Sequence, residues 1–143
     1  MIKTLEAVNL WWNQFVYVAD VKDHWQTPIE TIERGGGDCE DIAFGKYFTL
    51  VGLGVPGVLL CYCHQRGNAH MVVVVAHDGK MLVLDKNSDF IMTTSQLAHS
   101  LVRIYSFSHT RYIVHLKAGD EELDINLSRL SKWGELLERI KNE

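Results

Sequence analysis

The stretch from Ala69 to Asp85, AHMVVVVAHDGKMLVLD, constrains the chain more than any other. Two runs rich in β-branched residues flank Asp78-Gly79. A two-residue Asp-Gly loop is the strongest short-range hairpin signal, because its residues accept the positive φ that a tight type I′ turn needs. With those two residues as the loop, His77 faces Lys80, and every other pair follows: Asp85 falls opposite Val72 and His70 opposite Asn87. His70 and Asp85 then point to the same face as diagonal neighbours about 7–8 Å apart at the backbone, near enough for their side chains to meet. A slip of one residue would send them to opposite faces.

The composition leaves room for a packed core around such a hairpin. The chain has 143 residues, 47% of them hydrophobic and 22% charged, which predicts one globular domain over 1–143. The net charge is -4 and the 14 Lys and Arg are scattered. That is not the basic footprint of a nucleic-acid binder. The longest apolar runs are broken by Gly and Pro and fall short of the ~20 residues that cross a bilayer, so no membrane insertion is expected. MIKTLEAVNLWWNQF lacks an apolar core followed by a small-residue cleavage site, so no secretory signal is expected in this chain. Three cysteines, Cys39, Cys61 and Cys63, form no disulfide framework. Cys61 and Cys63 are two apart on one strand and share a face. CYCH (Cys61 to His64) has no second half-site with zinc spacing.

Leu5, Val8, Trp12 and Phe15 recur at helical spacing and predict an amphipathic first helix. The segment 16–37 reads as irregular, with a short helix from Thr27-Pro28 through Glu33 and a break at Gly35 to Gly37. A second helix fits Cys39 to about Val51, capped by Asp38 and closed by GLGVPG. VLLCYCH, HMVVVVAH, KMLVLD, VRIYSF and RYIVHL read as strands, and SRLSKWGELLERIKNE returns to helix. The layout is one α+β domain: helices, an antiparallel sheet, a closing helix.

Cys39 stands where chemistry and capping overlap. In GGGDCED it is the first residue of the helix that Asp38 caps, close to unpaired N–H groups and the positive end of the helix dipole, a setting that favours thiolate. The same residues also fit plain capping, with Asp38 and Asp41 in a D-x-x-D variant of the capping box and Cys39 a small buried hydrophobe. The hairpin moves the balance. Cys39, His70 and Asp85 supply, in chain order, a nucleophile, a proton carrier and an orienting acid, and the Cys39 N–H a first oxyanion donor.

EAVNLWWNQFVYVAD, DHWQTPIETIERGGGDCEDIAFGKYFTLVGLGVP, AHMVVVV and LVLDKN, with IYSF downstream, resemble the bacterial transglutaminase-like cysteine proteinases of the LapG type. The resemblance runs from about Leu5 to Phe107. It implies a papain-like, transglutaminase-like α+β fold, with the catalytic Cys at a helix N-terminus packed on an antiparallel sheet, and a Cys39, His70, Asp85 triad. Proteases of this type act in the periplasm. They release a large cell-surface adhesin by cutting near its N-terminus, so controlling attachment and biofilm release, and are held inactive by an inner-membrane receptor of cyclic-di-GMP. They require calcium, and a hard cation suits Asp38, Glu40 and Asp41 with the upstream acids Asp20 and Asp23. Trp25 is a candidate to line the cleft or assist the oxyanion, or is core. Two other classes share the residues: a transglutaminase or amidase using the same triad for acyl transfer, and a non-catalytic calcium-binding interaction module.

Overall fold

Leu5, Val8 and Trp12 are buried along one face of α1 (Ile2–Asn13) in the computed structural model, which describes residues 1–19, 24–127 and 130–143. After β1 (Val16–Tyr17), α2 (Pro28–Arg34) begins on a capping box in which Thr27 Oγ1 accepts from Glu30 N and the Glu30 carboxylate accepts from Thr27 N. It ends at Gly35, whose φ of 75° is the left-handed cap that glycine adopts without strain. The predicted glycine break is also a pairing element. β2 (Gly36–Gly37) lies parallel to β1, with Val16 beside Gly36 and Tyr17 beside Gly37.

α3 (Cys39–Gly52) follows at once, and Ile42, Phe44, Tyr47 and Leu50 bury it on more than one side. Those side chains join Val73, Val75 and Leu84 of the sheet in the larger core cluster. The sheet has seven strands in the order β6-β5-β4-β3-β7-β8-β9, every neighbouring pair antiparallel. These are β3 (Val58–Gln65), β4 (Asn68–His77), β5 (Lys80–Asp85), β6 (Ser88–Thr93), β7 (Leu101–Phe107), β8 (Tyr112–Leu116) and β9 (Gly119–Glu122). Leu59, Cys61, Cys63, Val72, Val74 and Val83 form a second cluster on the other face, with Leu97 packed against it.

The hairpin register is the expected one. His77 pairs with Lys80 and Val73 with Leu84, and the turn residues Asp78 and Gly79 have φ of 49° and 73°. β6 and β9 have no counterpart in the sequence reading. β9 is exposed throughout and β6 never more than half-buried, so neither carries the alternation that marks a strand with one buried face. Each forms because a neighbouring edge offers unpaired backbone groups.

α4 (Ser131–Lys141) closes the fold. Trp133 enters the core against Phe107 at 5.0 Å and Tyr47 at 5.7 Å between ring centroids. Arg139 bonds Glu30 at 2.8 Å and also donates to the Trp25 carbonyl, so the last helix holds the segment just before α2. Among the described residues, no helix is long and apolar enough to cross a membrane.

α1 and α3 approach closely because Gly45 has no side chain. A Cβ there would stand 2.4 Å from the Trp12 ring, whose Nε1 donates to Thr49 Oγ1 at 3.0 Å. Gly45→Ala is expected to destabilise the protein by about 1–3 kcal/mol through overpacking, despite alanine's better helix propensity. Urea denaturation of the variant against wild type measures it.

Candidate active site

The glycine run and the acids around Cys39 form one local structure. Asp38 caps α3 by accepting from Asp41 N at 3.0 Å, and Asp41 Oδ2 accepts from Asp38 N at 3.1 Å. Asp41 Oδ1 accepts from Gln26 N at 2.9 Å, tying the Trp25-Gln26 segment to the first turn of the helix. Asp41 is 2% exposed, and burial pushes its pKa up to about 7, with the neighbouring Asp38 charge adding to the rise and backbone hydrogen bonds opposing it. Gly37 makes room for this. A Cβ there would lie 2.6 Å from Asp41 Cβ and 3.0 Å from Gln26 Nε2.

Cys39 therefore occupies the first position of a helix whose start is held from two directions. It is half-buried. First-turn N–H groups have no acceptor within their own helix, so the Cys39 amide joins the dipole in favouring negative charge at this point.

His70 and Asp85 lie at the same end of the sheet. Cys63, which faces His70 across the β3–β4 ladder, gives its thiol to the His70 carbonyl at 3.5 Å. His70 Nε2 stands 2.7 Å from Asp85 Oδ1, and both residues are buried, His70 being 8% exposed. Asp85 Oδ2 accepts from Gln65 Nε2 at 2.8 Å and Oδ1 from Asn87 N at 3.0 Å, while Asn87 Nδ2 donates to Gln65 Oε1 at 2.8 Å. Burial alone would raise the Asp85 pKa, but hydrogen bonds from His70, Asn87 and Gln65 and the His70 charge hold it below the usual carboxylate range. A carboxylate only accepts, so Nε2 carries a proton.

The Cys39 side chain lies close enough to the same imidazole to raise its pKa. With Nε2 given to Asp85, Nδ1 is the nitrogen left for sulfur. Burial would lower the His70 pKa, but hydrogen bonds to Asp85 and Cys39 and the charges of both raise it to about 9. Burial pushes the other two thiols up, Cys61 to about 11 and Cys63 further, leaving both protonated.

A hollow of about 580 Å³ opens beside the pair, lined by Gln65, Asn68, His70, Asp85, Ser88 and Met92 among others. Cys39 is not among its walls, so a carbonyl under attack would lie between the helix start and the imidazole, with this hollow to one side. Trp25 packs on Phe44 at 4.8 Å between ring centroids, and its Nε1 is buried without a hydrogen-bond partner among the described residues.

The acids expected around a cation are distributed unevenly. Asp20 and Asp23 lie outside the described residues. Among the described residues no three His, Cys, Asp or Glu converge as a metal site, CYCH included. Asp41, expected as a ligand, has both oxygens on backbone amides. Asp38 and Glu40 remain, and two carboxylates fall short of the roughly six to eight oxygens that calcium takes. The described residues supply part of a donor set and not a complete one.

Gln65, Asn87, Gln26 and Lys46 escaped the sequence reading. The hairpin arithmetic applied to β3 and β4 around Arg66-Gly67 would have placed Gln65 next to the pair, since Gln65 faces Asn68. Lys46 carries no local signal at all. It is 1% exposed on α3, two turns beyond Cys39.

A family model of the bacterial transglutaminase-like cysteine proteinases matches residues 1–122. Two solved structures of Legionella pneumophila LapG are 34% identical to this chain. The EGTA-treated form superimposes with a TM-score of 0.85, covering 98% of this chain and 80% of that one. The calcium-bound form gives 0.83 and covers 96% and 79%. A structure from Cytophaga hutchinsonii, assigned as a cysteine protease, is 15% identical with a TM-score of 0.59 over 87% of this chain and 41% of that one, a likeness of fold. No curated protein sequence matches the chain.

Burial lowers the Lys46 pKa to about 7, against the pull of Asp85 and Asp89 and with the help of Lys86. Between about pH 7 and the usual lysine value near 10 the unfolded chain holds a proton that the folded chain lacks, so this group makes stability rise with pH by up to about 1.4 kcal/mol per unit. Below about 7 the full cost of burying the ammonium is present. His70 acts in the opposite sense: its folded pKa is raised, so its contribution is complete below about 6.5 and lost as pH rises through about 9. The readout is therefore the difference between wild type and Lys46→Met in urea denaturation. The variant is expected to gain most at neutral pH and below, the gain shrinking toward about pH 10.

Proposed function

Because the chain belongs to the bacterial transglutaminase-like cysteine proteinases, we propose that its peptidase chemistry runs through Cys39, His70 and Asp85 within a single catalytic domain, residues 1–143. The observation that carries this reading is one imidazole held on its Nε2 by a buried carboxylate, its pKa raised by that carboxylate and by the thiol at the start of α3.

The Cys39 thiolate attacks the peptide carbonyl carbon, forming the C–S bond, and the carbonyl electron pair moves to oxygen. The Cys39 N–H and the Trp25 indole N–H, buried without a partner, are the donors proposed for that oxyanion. A preorganised donor of this kind is worth roughly 10²–10³ in rate. As the tetrahedral species collapses, the C–N bond breaks and the leaving amine takes a proton from the His70 imidazolium. The neutral imidazole then removes a proton from water, whose oxygen attacks the thioester and frees the carboxylic acid and the thiolate. Asp85 keeps its negative charge throughout and holds the ring in the tautomer and orientation that both steps need.

The LapG-type resemblance supports the finer reading: a large surface adhesin cut near its N-terminus as substrate, a periplasmic address, biofilm release as outcome, and an inner-membrane cyclic-di-GMP receptor as inhibitor. Calcium belongs to the same proposal, supported by the calcium-bound relative. Asp38 and Glu40 are the acids of the helix start assigned to the ion. Asp41 keeps its place in the cap.

Cys39→Ala is expected to abolish cleavage of an adhesin N-terminal fragment while leaving the thermal unfolding midpoint within a few degrees of wild type; cleavage by the variant would sink the mechanism. Adding a primary amine to the assay and looking for it on the product separates hydrolysis from acyl transfer. Iodoacetamide labelling, read by mass spectrometry, is expected to favour Cys39 over Cys61 and Cys63 and to slow when EGTA replaces calcium. Equal rates with and without EGTA would remove calcium from the thiol's environment. Since His70 must be protonated to release the amine, kcat/KM is expected to fall above about pH 9.

A further inference from the structure

Asn9 and Asn13 stand one turn apart on α1, and Asn9 is fully buried on the face that carries Leu5 and Trp12 into the core. Both amides grip the turn that follows β5. Asn13 Nδ2 donates to the Asp85 carbonyl at 3.0 Å and the Ser88 carbonyl at 3.2 Å, and reaches Asp89 Oδ1 at 3.2 Å. Asn9 Nδ2 donates to the Ser88 carbonyl at 2.9 Å, and Lys86 Nζ returns a bond to the Asn13 carbonyl at 2.7 Å. Every acceptor facing these amides is an oxygen, which fixes the NH₂ end of each toward the turn.

The sheet does not hold Asp85 by itself. Pairing between β4 and β5 ends at Val73 and Leu84, one residue before it. On its other side the β5–β6 register shifts between Val83 and Asp85. Asp85 is thus the residue at which both ladders loosen, and its carboxylate must still meet His70 Nε2 at 2.7 Å. We propose that Asn13 is a positioning residue for the peptidase site: by holding the Asp85 carbonyl from α1 it keeps the carboxylate in line with His70, with Asn9 and Lys86 completing the clasp. This inference rests on the triad reading above and gives the first helix a part in the chemistry. A carboxylate displaced by as little as an ångström loses much of its hold on the imidazole.

The test uses the full chain. His70 on β4 faces the carboxylate, Lys46 on α3 lies in its field, and Lys86 in the turn and Asp89 on β6 act on Lys46. Asn13→Leu changes none of them and keeps the side chain's branched shape. His70 titration is followed by NMR on histidine-labelled protein, assigned with His70→Gln, and Cys39 labelling by iodoacetamide is timed at neutral pH. In a folded Asn13→Leu chain, the His70 titration is expected to move down by about one unit and labelling to slow. A wild-type titration and rate in the folded variant would overturn the inference. A helix end that only packs would lower the unfolding midpoint and leave the titration in place, which also overturns it. If Asn13→Leu does not fold, Asn13→Ala takes its place in the same two measurements, since it removes the amide without placing an apolar branch against Asp89. Asp85→Asn separates this inference from its premise. If that variant titrates and labels like wild type, the triad reading fails; if it alone changes both, the triad stands and the clasp falls.

Discussion

One buried carboxylate, Asp41, holds the start of α3 to two other stretches of chain. Its oxygens take the amides of Asp38 and Gln26, and each such hydrogen bond contributes about 0.5–1.5 kcal/mol, more where the acceptor is ionised. The first fixes the turn on which Cys39 sits. The second brings Trp25, and through its carbonyl the Arg139 of the last helix, against the same turn. Gly37 has no Cβ because the carboxylate fills that space. The nucleophile's position thus follows from a cap, a glycine and a loop that all converge on one side chain.

Charge in the site is arranged around this anchored sulfur with little help from solvent. Burial would strip the proton from His70 and put one on Asp85, yet their mutual hydrogen bond reverses both tendencies, with Cys39 adding to the first and Asn87 and Gln65 to the second. The pair therefore exists as imidazolium and carboxylate. Beneath it Lys46, fully buried on the same helix as the nucleophile, places a base near neutrality within the field of Asp85. The other two thiols lie in the cluster on the sheet's second face and stay protonated because burial raises both.

The family membership and the geometry meet at α1. Its two asparagines are inconspicuous among apolar neighbours in the linear chain, and a helix with Leu5, Val8 and Trp12 on one side reads as a core element alone. In the folded molecule the same face delivers two amides to the turn carrying Asp85. Packing and positioning are one function there, because Gly45 lets Trp12 approach and the approach sets how far the amides reach.

Much of this was legible in local sequence. Asp78-Gly79 determines the β4–β5 register, since a two-residue turn leaves no freedom in pairing, and from it the meeting of His70 with Asp85 follows. Asp38 and Asp41 determine the start of α3, since a capping box is closed within four residues. The alternating apolar runs determine five of the strands. Tertiary structure alone decided the rest. β6 and β9 pair because a neighbour's edge is open, which their own exposed residues do not record. Asp41 accepts from Gln26 across a separation in sequence that no spacing rule covers. Asn13, Gln65 and Lys46 gain their surroundings from elements far along the chain. Hydrogen bonds within a turn leave a mark in the residues that make them, whereas contacts between distant elements are set by how whole faces pack, and that is written in no single stretch.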